Sequence, residues 1–396
     1  MKLFIFCITA SYLLMSNSCY NKSDNKAEDL TSKIPYCIDA DNLVEFIDLK
    51  LTDLADSLHF IVLETTRESL LSNPYFILSN DYILAYSQSE LYKFSADGKF
   101  IKKIIYKGRG PQEISLITSL YFDEEKNLLY LNDHQKSYLL VYDLRSDQFL
   151  KPIEKGSMGF EFVIRDSIII SKGSASDALV FQNINGDIIR RIPNHKKKLS
   201  GVNRELQFQG NNLHYWGNEF YTKFEKDDTL FVFENNSINP YLSVKFNTIR
   251  DNPPGDIIKN GDRGFSIICL TEKSILISTS IVKNVEYHSG GNMSWKRDKE
   301  YFILDKGTGL SVKIKSFTDD FTGYNYKETS EGIRIPQNFE NGRIIIPINP
   351  LDIKDILVRD SQNNNLQKGV REQLNKLNNC LTETDNPVLI IGKIKI

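Results

Sequence analysis

The chain has 396 residues, 41% of them hydrophobic and 25% charged, with 49 Lys and Arg against 51 Asp and Glu for a formal net charge of -2. So even a balance excludes a protein that neutralises a polyphosphate backbone, and nucleic acid is not an expected partner. The 19 Tyr and 23 Phe against 4 Met and 2 Trp lean toward strands, so the expectation is an all-β fold, of a length that repeated β architectures reach as one unit.

The first element is a targeting segment. Lys2 precedes the apolar run LFIFCITASYLLM, which is too short to span a bilayer as a helix and has the order of a secretory signal. SNSC follows and ends at Cys19. A cysteine in that place resembles the lipobox of bacterial lipoproteins, which implies a signal peptide over 1–18 and lipidation of Cys19, with a membrane reached through the lipid anchor only. Residues 19–40 are polar and without a period, as a flexible tether would be. The folded body is then expected over 41–396.

Beyond the tether the pattern is a recurrent hairpin, at 90–104, 139–153, 179–192, 230–246 and 301–314. Each has an apolar, aromatic-rich strand, a polar or glycine turn and a second alternating strand. Their last apolar residues, Ile104, Ile153, Ile192, Phe246 and Ile314, are 39 to 68 residues apart. One four-stranded propeller blade occupies a step in the forties, and longer steps leave room for insertions. Upstream runs such as 119–133 and 159–171 supply two inner strands per blade. With 332–348 the count is six blades, the last interrupted by a helix-like insert at 351–381 before NPVLIIGKIKI. An unclosed ring would expose a blade edge, so a strand from LVEFIDLK or LHFIVLE in the N-terminal segment is expected to complete it. The reading is an all-β, six-bladed β-propeller, closed by N- and C-terminal strands, with a short helical insert near the C-terminus.

The order HFIVLETTRESLL, then FSADGKFIKKIIYKGRGPQEI, then DNPVLIIGKIKI after the insert resembles the six-bladed β-propeller lipoproteins of Bacteroidetes, and in blade design NHL-repeat and TolB-type propellers. The resemblance covers nearly all of the mature chain and implies a fold and an address rather than a chemistry. It implies the cell envelope, with the outer membrane as the expected site of the anchor.

KGRGPQEI at 107–114 lacks the spacing of a Walker loop or a dinucleotide fingerprint and is flanked by strands. Gly108, Gly110 and Pro111 are explained by a corner between blades one and two. Arg109 and Glu113 are not: either they face an anionic ligand, or Arg109 pairs with a neighbouring blade and locks the ring. Asp133 follows an inner strand and is expected to cap the turn, leaving His134 exposed. The loop 284–300, with Tyr287, His288, Gly290, Gly291 and Trp295, is either a contact surface for sugar or protein or a long hairpin packed on its own blade. His59, His134, His195, His214 and His288 have no metal-ligand spacing, and no GxSxG elbow occurs. Cys37, Cys269 and Cys380 form no CxxC pair, and a Cys37 to Cys380 disulfide is one possibility if the chain ends meet.

The expected function is therefore binding by a cell-envelope lipoprotein, without cofactor or metal, its partner an envelope protein. The alternatives are a small molecule, peptide or glycan at the channel mouth, or a metal-dependent hydrolase or lyase on the axis. Arg109, Glu113, His288 and Trp295 are the candidate ligand-binding residues.

Overall fold

The computed structural model describes residues 34–87, 89–156, 159, 161–172, 177–193, 213–216, 219–223, 228–234, 237–247, 260–288, 293–324, 335–336, 339–340, 342–363 and 366–396. The segment expected to be a signal, Cys19 and most of the expected tether lie outside them, as does His195.

Six sheets form the six blades of a β-propeller. The chain reaches the ring by its rim. Strand β1 (Tyr36–Asp39) adds in parallel to the outside of blade four, and β2 (Phe46–Lys50) adds in parallel to the outside of blade five. Strand β1 thus lies inside the 19–40 segment expected to be a tether. After the short helix α1 (Leu51–Leu54), β3 (Ala55–Val62) becomes the outermost strand of blade six.

Blade one follows as β4 (Tyr75–Leu78), β5 (Tyr82–Tyr86), β6 (Leu91–Ser95) and β7 (Phe100–Ile105). Blade two is β8 (Ile117–Asp123), β9 (Leu128–Asp133) and β10 (Tyr138–Asp143), with β11 (Gln148–Phe149) and β12 (Ile153–Glu154) both pairing β10. Blade three is β13 (Phe162–Arg165), β14 (Ile168–Lys172), β15 (Asp177–Asn183) and β16 (Ile188–Pro193). Blade four holds β17 (Leu213–Trp216), β18 (Glu219–Lys223), β19 (Thr229–Glu234) and β20 (Ser237–Lys245). Blade five holds β21 (Arg263–Leu270), β22 (Ser274–Tyr287), β23 (Met293–Asp305) and β24 (Ser311–Thr318).

Blade six begins with β25 (Phe339–Glu340) and β26 (Arg343–Ile348). Helices α2 (Pro350–Asn363) and α3 (Lys368–Cys380) interrupt it, and β27 (Val388–Ile394) lies between β26 and β3. LHFIVLE therefore closes the ring, paired antiparallel to the C-terminal strand from Val62 opposite Val388 to Ala55 opposite Ile394. LVEFIDLK instead supplies the extra strand of blade five. Cys37 and Cys380 are both exposed, one on the strand added to blade four and one at the end of α3, and no disulfide joins them. Cys269 is buried in an apolar cluster with Leu276, Tyr301 and Ile314, where burial pushes its thiol up to about 12.

The core sits between blades, because each sheet buries both faces. Ile77, Leu84 and Leu91 of blade one pack with Leu129, Leu131 and Leu140 of blade two, all nearly inaccessible to water. Burial on both faces explains why the middle strands read as continuous apolar runs such as LLYL and YLLVY rather than as alternating ones.

Polar ties close the seams. The LETTRESLL, GKF and DNPVL stretches all converge where blade six meets blade one. Asn386 is 1% exposed; its side-chain amide donates to the Glu64 and Ser69 carbonyls at 3.0 and 2.9 Å and accepts from the Leu71 amide at 2.9 Å. Gly98 has φ +89°, and a Cβ there would stand 2.1 Å from the Val62 carbonyl oxygen. The Glu64 carboxylate receives the Phe100 amide at 2.8 Å. Between blades one and two, buried Lys93 donates to the Leu144 carbonyl and the Asp147 carboxylate, each at 2.8 Å.

Candidate functional site at the corner of blades one and two

Antiparallel order fixes which loops meet. Ile117, which opens the inner strand β8, pairs Asp133, which ends β9. The blade-to-blade connection 106–116 and the turn 134–137 must therefore share one face of the ring. Among the described residues, the long connections 63–74 and 106–116 and the helical insert within 349–387 lie on that face, and strands β16, β20 and β24 also end toward it. The opposite turns, such as 79–81, 96–99, 144–147 and 306–310, are no longer than five residues. Short turns are the minimum that joins antiparallel neighbours, whereas the long connections are added chain on a rigid scaffold, where binding residues concentrate.

KGRGPQEI is a corner, and a rigid one. The Gly108 amide donates to the Ile114 carbonyl at 3.1 Å, and the Ile114 amide to the Tyr106 carbonyl at 3.0 Å. The Glu113 carboxylate turns back into its own loop and accepts the Gly110 amide at 2.9 Å. Neither Gly108 nor Gly110 takes the positive φ that a corner could ask of them; a Cβ at Gly108 would lie 1.9 Å from that carboxylate, so the bare Cα leaves the space into which the Glu113 side chain turns. Lys136, from the turn of blade two, donates to the Gly110 carbonyl at 2.8 Å. Glu113 thus serves the loop, not the arginine beside it.

Arg109 is exposed at the tip of this fastened loop and has no ion pair among the described residues. The seam it was expected to lock is locked by Lys93. Beside Arg109 opens a cavity of about 310 Å³, lined by residues 108–109, 115, 133 and 135–138. Asp133 is 2% exposed at its floor, where its carboxylate accepts the Ser115 hydroxyl at 2.7 Å, the Ser115 amide at 2.9 Å and the Gln135 amide at 3.0 Å. Burial alone would raise its pKa; the amides of Gln135 and Ser115, the Ser115 hydroxyl and the positive Lys136 outweigh that and hold it below the usual carboxylate range. The turn-capping role expected of Asp133 is the observed one, and it also binds the arriving loop through Ser115. Behind the floor, Lys155 donates to the Asp133 and Lys136 carbonyls at 2.5 Å each. Burial pushes its ammonium down to about 8, with Asp133 acting against the shift and Lys136 adding to it.

The other candidates are elsewhere. Strands β22 and β23 pair from Ser274 opposite Asp305 out to Tyr287 opposite Met293, while β21 accompanies β22 only to Ile281. The hairpin therefore runs past its own blade. Asn284, at φ +52°, marks an irregularity in it between Lys283 and Glu286. His288 is exposed, 2.7 Å from the Ser294 hydroxyl, and Trp295 is half-buried with the Arg297 guanidinium 5.8 Å from its ring centre. Gly290 and Gly291 lie outside the described residues. Neither His288 nor Trp295 lines the corner cavity. Sequence reasoning missed Lys136 and Tyr138 as cavity residues, because only the register of β8 against β9 brings 108–115 to 133–138.

No curated protein matches the chain. Among solved structures, a protein of Bacteroides fragilis NCTC 9343 described as exported is similar to it, at 19% identity and a TM-score of 0.61, covering 89% of this chain and all of that one. The WD40 domain of Neurospora crassa Pan2 is 9% identical over 60% of this chain and 72% of that one, with a TM-score of 0.34. Hydrazine synthase of Kuenenia stuttgartiensis is 12% identical over 83% and 90%, also at 0.34. The likeness to the Bacteroides fragilis protein is one of fold. One family, described as a domain of unknown function, DUF4934, matches residues 35–393, nearly the whole described chain, and the protein belongs to it.

Proposed function

We propose that this protein is a lipid-anchored cell-envelope propeller that acts by binding an envelope protein through the face carrying its long connections. The observation that carries this reading is the asymmetry of the ring: among the described residues the long connections lie on one face, and the opposite turns are minimal. The blade-five hairpin adds Trp295 and Arg297 there, and Trp and Arg are the residues most enriched where protein interfaces gain their energy. The anchor rests on Cys19 after the apolar run, and no helix of the described residues is long and apolar enough to cross a membrane.

The test combines address and face. Cys19→Ala in the full-length chain should move the protein from the membrane fraction to the soluble fraction. A photo-crosslinker at position 295 should give one discrete adduct in cells, while one at position 307, in an opposite turn, should give none. Retention of Cys19→Ala in membranes would refute the anchor, and equal adducts from both positions would refute the choice of face.

A further inference from the structure

Independently of the protein partner, the corner cavity has a chemistry of its own. Its charged side chains are Arg109, Lys136 and Asp133. Asp133 is committed: both oxygens already accept hydrogen bonds from Ser115 and Gln135, and the residue is almost wholly buried. Lys136 donates to the Gly110 carbonyl and, at 3.5 Å, faces the Tyr138 hydroxyl; it makes no salt bridge among the described residues, although its charge also acts on Asp133 across the cavity. Arg109 has no carboxylate partner among the described residues, and the nearest acid in its loop, Glu113, is held by the Gly110 amide. The cavity lining therefore carries two cations, one of them the exposed Arg109, against a single buried anion whose oxygens are already hydrogen-bonded. Apart from Gly108 and the Ser115 already bonded to Asp133, its remaining lining is hydroxyl, amide and phenol, from Ser137, Gln135 and Tyr138.

At about 310 Å³ the space sits at the lower end of small-molecule pockets and is larger than a bare inorganic anion needs. An arginine fork matches a planar or tetrahedral oxyanion, hydroxyls and an amide match sugar hydroxyls, and a tyrosine supplies a ring face. We infer that the corner of blades one and two is a binding site for an acidic sugar, a polyhydroxylated ring whose carboxylate, sulfate or phosphate group is held by Arg109 with Lys136 beside it. Because the loop is fastened at Gly108, Gly110 and Ile114, the arginine is presented on a pre-formed frame, and little ordering is required on binding.

The experiment is calorimetric titration of the full-length protein in detergent with glucuronate, glucose 6-sulfate, glucose 6-phosphate, glucose, and inorganic sulfate and phosphate. Saturable binding of at least one acidic sugar, tighter than glucose and tighter than either inorganic ion, is the expected result, and the preferred ester identifies the anionic group. Arg109→Ala should weaken that binding about tenfold or more, as loss of one charge-assisted fork does, and Arg109→Lys should restore only part of it. Arg109 makes no contact that the fold needs, so the variant should keep its thermal midpoint. Inorganic ions binding as tightly as the acidic sugars, no binding by any probe, or an unchanged affinity in Arg109→Ala would each overturn the assignment. None of these outcomes bears on crosslinking from position 295, so the partner reading stands or falls separately.

Discussion

Lys93 is 3% exposed and reaches from blade one to the Leu144 carbonyl and Asp147 of blade two, whereas Arg109, on the same seam, is exposed. Lys93→Met should therefore destabilise the protein by about 2 kcal/mol, less than for a fully buried pair because Asp147 is half-solvated and can rehydrate. Arg109→Ala should stay within about 0.5 kcal/mol. Denaturant midpoints compare the two, and a larger loss at Arg109 would reverse the assignment of the lock. Asp133 gives a second expectation, in pH. Its folded-state pKa is depressed, so its contribution is complete above its ordinary value of about 3.9 and is lost as pH falls through the folded value. The stability gap between wild type and Asp133→Asn should be flat from neutral pH to about 5 and shrink below about 4; a gap that widened in acid would contradict the sign. At this scale the sequence was only half legible. KGRGPQEI announces a corner through its glycines and proline, but Glu113 makes sense only once its carboxylate is seen under Gly108 and Gly110. Lys93 lies in an alternating strand like any surface lysine, and nothing in its neighbours reports the blade that covers it.

Among the elements, the two outer strands of blades one to five were easiest to foresee. Their apolar and aromatic runs stand on either side of turn residues, and hydrogen bonding between sequence neighbours needs no long-range information. By contrast, β25 has two residues and no pattern to read, and β1 and β2 add in parallel to distant strands with no turn to mark the pairing. The GKF turn allows a sharper test of what a motif is for. Gly98 and Gly309 both sit at positive φ, +89° and +72°, but a Cβ would strike the Val62 carbonyl only at Gly98 and meets nothing within 4 Å at Gly309. Gly309→Ala should cost about 1 kcal/mol, the conformational penalty alone, and Gly98→Ala about 3 kcal/mol or more, because the seam between blades six and one must open as well. Equal losses in a denaturant titration would mean that the GKF turn is only a turn.

For the whole molecule, closure follows from the edge problem of any propeller, and this is why the fold was legible from six repeats even where single strands were not. Deleting 388–396 removes β27 from between β26 and β3, exposes two apolar edges and should abolish cooperative unfolding. Removing the chain up to residue 50 takes away the added strands β1 and β2, their buried Ile38 and Leu49, and ties such as Asp41 to Arg263 and Asp48 to Ser316, but no strand of the six-blade circuit itself, so the ring should still fold, at reduced stability. If both truncations behave alike in calorimetry, the extra strands are as essential as the seam. Those strands also determine how the molecule carries mechanical load. The chain enters at blade four and is fastened in turn to the rims of blades four, five and six before β3 closes the circle. Tension on the N-terminal end therefore meets β1 first, then β2, and reaches the closing seam last. A tug from that end would be spent on two sacrificial strands while the ring behind them kept its shape.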